Sequence, residues 1–380
     1  MRPSAANGRR KRLPHKLWAV VALVALAAPS RSQRWEVQYF YDKAKSSLSI
    51  QDIQFVSASR GVAVGAIHET EKHAKPVAVV TADGGAHWQV VPLRETPPLS
   101  VFLLNENLGW MVAGQHLWHT TEAGKSWSEV SRFPVPILRV YFADESNGWA
   151  VGFKKTVLET HNGGRGWERV AAAAEPSGEA KYSTYSWIAF ATPQSGMISG
   201  WNQPPRRLEP KLPEWIDPQA TLDYRDRPHL SYSLVTRDGG KTWKSSSASL
   251  FGDISRIRFG KQNNGLGLVE YSDAFRFPSE VYKVEWTSGK SQTVYRNPKM
   301  FVSDIWLTPD GTAYLAGITM LGQTRLAPGK VQVLRSKDLS AWTEMEVDYR
   351  AVAHRATLAA ADDQNLWVAT DNGMILKLVR

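Results

Sequence analysis

The sequence predicts an all-β fold, a seven-bladed β-propeller of four-stranded antiparallel blades, and three observations carry that expectation. One short phrase recurs along the chain: TADGGAHW from Thr81, TTEAGKSW from Thr120, THNGGRGW from Thr160 and TRDGGKTW from Thr236, with a worn form, SKDLSAW, from Ser336. A longer run of alternating apolar residues precedes each phrase. The two chain ends each read as part of one such unit. Self-similarity at this period means that one supersecondary unit has been copied, each copy burying its apolar face on its neighbours.

The phrase is a turn. A strand delivers the chain to Thr, the Asp, Asn or Glu two residues on can accept backbone N–H groups, and Gly supplies positive φ. A Trp opens the next strand: Trp88, Trp167 and Trp243 stand five residues after Asp83, Asn162 and Asp238, and Trp127 and Trp342 hold the matching places in the other two copies. Each indole can pack on the turn it follows. Asp83, Asn162, Asp238 and Asp338 are therefore read as staples of a turn rather than as catalytic groups, since function sits in sites grafted on a repeat.

The segment upstream supplies three more strands. LRVYFADESNGWAVGFKKTVLET, from Leu138 to Thr160, divides into an apolar strand, a polar turn, an alternating strand and a third strand entering the phrase. With the strand after Trp, each unit has four, which at about 40 residues is the size of one propeller blade. First strands recur seven times, with apolar anchors at Phe55, Phe102, Phe142, Phe190, Phe259, Trp306 and Leu358. Second strands follow from Gly61, Gly109, Gly148, Gly196, Gly265, Thr312 and Leu366. The last unit stops after its third strand, whereas RWEVQYF from Arg34 resembles a fourth strand with no blade before it. Pairing the two termini would complete the seventh blade and remove an exposed edge.

Composition narrows the classes. The formal charge of +10 rests on residues 1–32, which hold Arg2, Arg9, Arg10, Lys11, Arg12, Lys16 and Arg31 and no acid; the rest carries 39 basic against 36 acidic residues. Without a basic stripe, nucleic-acid binding has little electrostatic basis. The same N-terminus has the form of an export signal, a basic region followed by the apolar run Leu17 to Ala28 and small residues Pro29 to Ser32. A periplasmic or extracellular protein is expected, released by cleavage or tethered if the segment is kept. The absence of cysteine excludes disulfides, thiol catalysis and thiolate metal sites. No cofactor or metal is expected: in HETEKH the histidines His68 and His73 are five apart in a loop, whereas HExxH needs four on a helix.

The Thr/Ser-x-Asp-x-Gly-x-x-Trp phrase resembles the Asp-box, or BNR repeat, of sialidases and related propellers. The pairing of GWAVG, Gly148 to Gly152, with LETHNGGRGW, Leu158 to Trp167, is similar more closely to the photosystem II stability and assembly factor family. That resemblance implies an exported, non-catalytic scaffold, a monomer whose partner is a protein, such as a membrane protein during assembly. The sialidase resemblance implies the alternative, a carbohydrate-active protein binding a glycan with three arginines, a Tyr–Glu pair and an Asp. FRFP, Phe275 to Pro278, is similar to a sialidase arginine element but follows the fourth phrase instead of preceding the first.

Blade lengths locate the expected binding surface. The link between second and third strands is short in blades two, three and seven but expanded at residues 67–76, 201–231, 272–280 and 318–330. In an antiparallel meander these links leave one end of the strands and the Asp-box turns the other. The longest insertion, residues 201–231, has six prolines and brings together Arg206, Arg207, Trp215, Tyr224, Arg225 and Arg227, the Arg and aromatic types enriched at interface hot spots. Arg276 and Arg325 join them from the neighbouring links as candidate binding residues, and Arg94 lies at the same end.

Overall fold

The computed structural model describes residues 33–70, 73–205, 228–260, 264–272, 275–285, 288–320 and 327–379. Residues 1–32, read from the sequence as an export signal, and the candidates Arg206, Arg207, Trp215, Tyr224, Arg225, Arg227 and Arg325 lie outside them. Among the described residues the chain is β throughout apart from two 3-10 turns, Ala171–Ala174 and Ala180–Tyr182. No helix among them is long and apolar enough to cross a membrane.

Five four-stranded antiparallel sheets follow in chain order, over residues 47–92, 100–132, 137–169, 183–250 and 253–296. The remaining strands form one nine-stranded sheet. In it Met300–Leu307, Ala313–Thr319, Gly329–Ser336 and Thr343–Val347 lead to Arg34–Phe40, then Met374–Val379, Leu366–Thr370 and Ala356–Ala360, and a ninth strand, Val352–Ala353, pairs with Gly329–Ser336 off this path. The N-terminal strand runs antiparallel to the C-terminal one, with Trp35 opposite Leu378, and meets Thr343–Val347 in a short parallel pairing, Trp35 opposite Val347. First strands touch in sequence: Ser47–Phe55, Ser100–Leu103, Ile137–Phe142, Ser183–Phe190, Asp253–Phe259, Met300–Leu307 and Ala356–Ala360, the last touching Ser47–Phe55 again.

Three of the recurrent turns share one hydrogen-bond scheme. Thr81 Oγ1 donates to Asp83 Oδ1 at 3.0 Å and accepts Gly85 N–H at 2.9 Å, while Asp83 Oδ1 accepts His87 N–H at 2.8 Å. Thr236 and Asp238 repeat the scheme with Gly240 and Thr242, and Thr160 and Asn162 with Gly164 and Gly166. Asn162 serves because an amide oxygen accepts as a carboxylate does. Positive φ is kept where glycine is lost: Ala123 takes 57° and Leu339 takes 62°.

Each turn is also a socket for the preceding sheet. A Cβ on Gly240 would lie 2.2 Å from Trp149 of the third sheet, Trp110 Nε1 donates to Gly163 O, and Trp367 Nε1 donates to Gly84 O at 3.2 Å. Trp367 and Trp110 stack on the first-strand rings Phe55 and Phe142 at 3.4 and 3.6 Å. Those rings lie over the glycines that start the second strands, Gly61 and Gly148, where a Cβ would meet them at 2.5 Å. The tryptophans opening fourth strands pack from the other side, Trp88 edge-on to Phe55 and Trp243 edge-on to Trp149. Trp127 and Trp167 also bond back to their own turns at Gly124 O and Gly164 O.

Register corrects three anchors. The residues opposite the second-strand starts are Leu103, Leu307 and Ala360, not Phe102, Trp306 and Leu358. A bulky ring stands next to the true position at Phe102 and Trp306, and in a strand one residue exchanges the faces. Residues 67–70 and 73–76 are not a loop either: they extend Gly61–Thr70 and His73–Thr81 as paired strands, with His68 opposite Ala74. Glu69 and Lys75 pair across them at 2.6 Å, so polar residues here mark solvated strands.

Gly240 combines φ of +86° with the Trp149 contact, whereas Gly311, at φ +89°, has nothing within 4 Å of the added Cβ. Gly240→Ala should cost about 2–5 kcal/mol, strain plus overpacking, and Gly311→Ala only about 1–2. Urea unfolding of both variants checks the difference. Asp83 and Asp238 are held at about 2, Asp83 chiefly by the His87 backbone N–H and Asp238 by the Thr242 hydroxyl. A carboxyl depressed in the folded state stabilises above its unfolded pKa of about 4, and that contribution fades as pH falls towards 2. Asp83→Asn and Asp238→Asn should flatten the pH dependence of Tm across that window, slightly, because both carboxylates are exposed.

Candidate binding site

Five first strands carry a β-bulge at one place. The register shifts fall between Ile50 and Asp52, Ile137 and Arg139, Tyr185 and Trp187, Ile254 and Arg256, and Val302 and Asp304. A bulge re-aims the residue that follows it. Asp52, Arg139, Trp187, Arg256 and Asp304 are those residues, and they meet.

Trp187 is the platform. The Cζ of Arg139, Arg256 and Arg258 lie 4.1, 4.6 and 5.2 Å from its ring, and its Nε1 donates to Ile257 O at 3.0 Å. Arg139 Nη1 donates to Asp52 Oδ2 at 3.2 Å, and the same oxygen accepts Val101 N–H. Asp304, fully buried, accepts Ile305 N–H and Leu358 N–H at 2.8 and 2.9 Å and faces Arg256 Nε and Arg258 Nη2 at 3.6 and 3.7 Å. Each carboxylate thus ties its own strand to the next one. Arg355 completes the group through a bidentate pair with Glu270 at 2.6 and 3.2 Å.

The balance is four guanidiniums against three carboxylates. Arg256 Nε has no hydrogen-bond partner although the atom is buried, since 3.6 Å to Asp304 is too long for one. Burial pulls the Arg256 guanidinium down to about 10, opposed by Asp304 and reinforced by Arg139. Burial lowers Arg258 in the same way. Burial works against ionised Glu270, but Arg355 outweighs it and holds the carboxyl below its ordinary value. Arg139, Arg256 and Arg258 keep 18–25% of their side chains exposed, so a ligand can reach them.

None of these residues was among the sequence candidates. The signal lies three residues before each strand end, in Asp52-Ile-Gln-Phe, Arg139-Val-Tyr-Phe, Trp187-Ile-Ala-Phe, Arg256-Ile-Arg-Phe and Asp304-Ile-Trp-Leu. Of the candidates, Arg276 alone is described: it is exposed, 5.4 Å from the Phe277 ring, in the link between Asn264–Glu270 and Ser279–Glu285. Beside it the fourth and fifth sheets enclose a cavity of about 460 Å³. A Tyr–Glu arrangement sits in its wall: Tyr271 donates to Glu280 Oε2 at 3.0 Å and Tyr282 donates to the same oxygen. Glu280 and Tyr282 share a face because they are two apart on a strand. Burial, with Tyr282 and Glu280 nearby, pushes the Tyr271 hydroxyl far up, and burial raises Tyr282 too.

Among the described residues one trio could hold a metal ion, Glu95, His116 and Glu129, whose ligand atoms lie within 4.8 Å of one another. His116 Nδ1 is 2.8 Å from Glu129 and Nε2 is 3.3 Å from Glu95. The trio joins two adjacent strands of the second sheet, His116–Thr120 and Ser128–Arg132, to Glu95 in the link before that sheet, so no sequence spacing announces it.

No protein-family model matches the sequence, and no curated protein matches it. Solved structures do. A structure described as YCF48 bound to D1 peptide is 14% identical, with a TM-score of 0.57, over 90% of this chain and 98% of that one. YCF48 from Cyanidioschyzon merolae is 14% identical with a TM-score of 0.58 and the same coverage. The WD40 β-propeller domain of Doa1 is 9% identical with a TM-score of 0.53, over 91% and 97% of the two chains. At these identities the likeness is one of fold, and in fold this chain is a β-propeller that resembles YCF48, the photosystem II assembly factor.

Proposed function

We propose that the protein is an exported, non-catalytic seven-bladed propeller that holds a partner protein by a carboxylate-bearing segment placed among Arg139, Arg256 and Arg258. Five separate sheets, with the nine-stranded sheet counted as two blades, support the number seven. The pairing of Arg34–Phe40 with Met374–Val379 supports closure by the termini. Export rests on the residue pattern of 1–32, and a membrane protein met during assembly suits that compartment. The structural neighbour described as bound to a peptide supports a protein ligand.

One observation carries the reading: Arg256 Nε is a buried donor without an acceptor, in a cluster with one guanidinium in excess. A carboxylate from a partner supplies both the acceptor and the charge. Stacking on Trp187 holds the guanidinium planes in place beforehand, which lowers the ordering cost of binding.

The glycosidase alternative draws less support. Sialidase-like chemistry wants three arginines converging beside the Tyr–Glu pair; Arg296 faces Glu280 and Arg276 stands near Phe277, but Ile254 and Ile257 line the cavity while Arg256 and Arg258 project from the other face of their strand. The tyrosines with raised pKa values remain phenols, which suits hydrogen-bond donors and not nucleophiles.

Cross-linked pull-down from the native envelope identifies the partner, and fluorescence anisotropy with its peptides tests the site. Arg139→Met with Arg256→Met should weaken binding at least tenfold and reduce its salt dependence, as should amidation when the carboxylate is C-terminal. Unchanged affinity in the double variant, with an unchanged Tm, would exclude this site. Turnover of sialosides or other glycosides by the purified protein would overturn the non-catalytic reading.

A further inference from the structure

We propose that the cavity between the fourth and fifth sheets binds the chain of a single-chain anionic amphiphile, a fatty-acid type carboxylate, with its head group at Arg276. The volume of about 460 Å³ falls within the range of small-molecule sites, roughly 300–1,000 Å³. Its walls are apolar: Met197, Leu250, Ile254, Ile257, Val269 and Val284 contribute aliphatic surface, and Phe251, Phe275 and Phe277 stand among the lining residues. Phe251 keeps 47% of its surface exposed beside Phe275, 5.4 Å between ring centres, so an apolar ligand would remove it from water.

The charges select the head group. Inside, Glu280 is already committed, Oε2 accepting from both tyrosines and Oε1 facing Arg296 Nη1 at 3.5 Å. At the rim, Phe275 and Phe277 line the cavity while exposed Arg276 stands between them in sequence; among the described residues it faces no carboxylate. Arg296 lies 5.1 Å from the Phe277 ring, so two guanidiniums flank the rim and Glu280 offsets one. A cationic head would meet that excess positive charge, a neutral one would gain nothing from it, and a carboxylate would pair with Arg276.

The site differs from the arginine cluster in residues and in strand face, so the two stand or fall separately. The test uses the full exported chain and a fluorescent dansylamino-undecanoate probe, displaced by dodecanoate, dodecanol or dodecylamine below their micellar concentrations. Dodecanoate should displace the probe at concentrations at least tenfold lower than dodecylamine, with dodecanol between. Arg276→Ala should bring dodecanoate to the level of dodecanol, while Arg139→Met with Arg256→Met leaves the series unchanged. Gly267→Leu, which projects into the cavity, should abolish binding of all three, and Ser249→Trp at the exposed rim provides a second block if that variant fails to fold.

No probe binding to the folded protein would overturn the proposal. An inverted order, with dodecylamine strongest, would assign recognition to Glu280 and overturn it as well. Deletion of residues 206–227 that raises probe affinity tenfold would make that segment the native occupant, and the amphiphile proposal would fall with it.

Discussion

The structure depends on an aromatic residue of one sheet entering the turn of the next. Trp110, Trp149 and Trp367 leave the second strands of their sheets and reach Gly163, Gly240 and Gly84, and each has a first-strand ring, Phe142, Phe190 or Phe55, in contact with it. At Gly240 glycine serves twice over, for positive φ and for the space Trp149 takes, whereas Gly163 and Gly84 hold the indole nitrogen by their carbonyl oxygens. A sheet alone offers half a socket, so stability is a property of neighbours, as in other repeat folds. The contact of Trp367 with Gly84 joins residues 283 apart in sequence, which makes the last sheet a neighbour of the first.

That arrangement leaves the first strands facing one another, and the bulges decide what they present. The two unbulged first strands place Ser100 and Thr357 at the corresponding position. The extra residue turns Asp52, Arg139, Trp187, Arg256 and Asp304 toward a shared space, where a carboxylate on one strand accepts a backbone N–H from the next. The polar cluster is thus part of how the sheets are held in order, and its spare donor is what remains for a ligand. Buried ion pairs stabilise little by themselves.

The turns were legible because their chemistry is local. Thr81, Asp83 and Gly85 bond one another within four residues, and spacing alone describes them. Second strands starting at Gly61 or Gly148 were equally legible, since glycine there marks the close approach of a ring. Register was not, because Phe102 and Trp306 look like better anchors than Leu103 and Leu307 when only hydrophobicity is weighed. Nor was the Tyr271–Glu280–Tyr282 group, which joins a link to the strand after it, or the trio of Glu95, His116 and Glu129. For the insertion, composition points to an interface at residues that lie outside the described part of the chain.

By itself the sequence determined the repeating unit, its four strands, the conformation of its turns and the partnership of the two termini, because each follows from local backbone chemistry or from counting copies. The tertiary structure alone decided which residues converge. Bulges shift the pleat by one position and neighbouring sheets supply the partners, so Arg139, Trp187 and Arg256, distant in the chain and unremarkable in composition, become one site through packing.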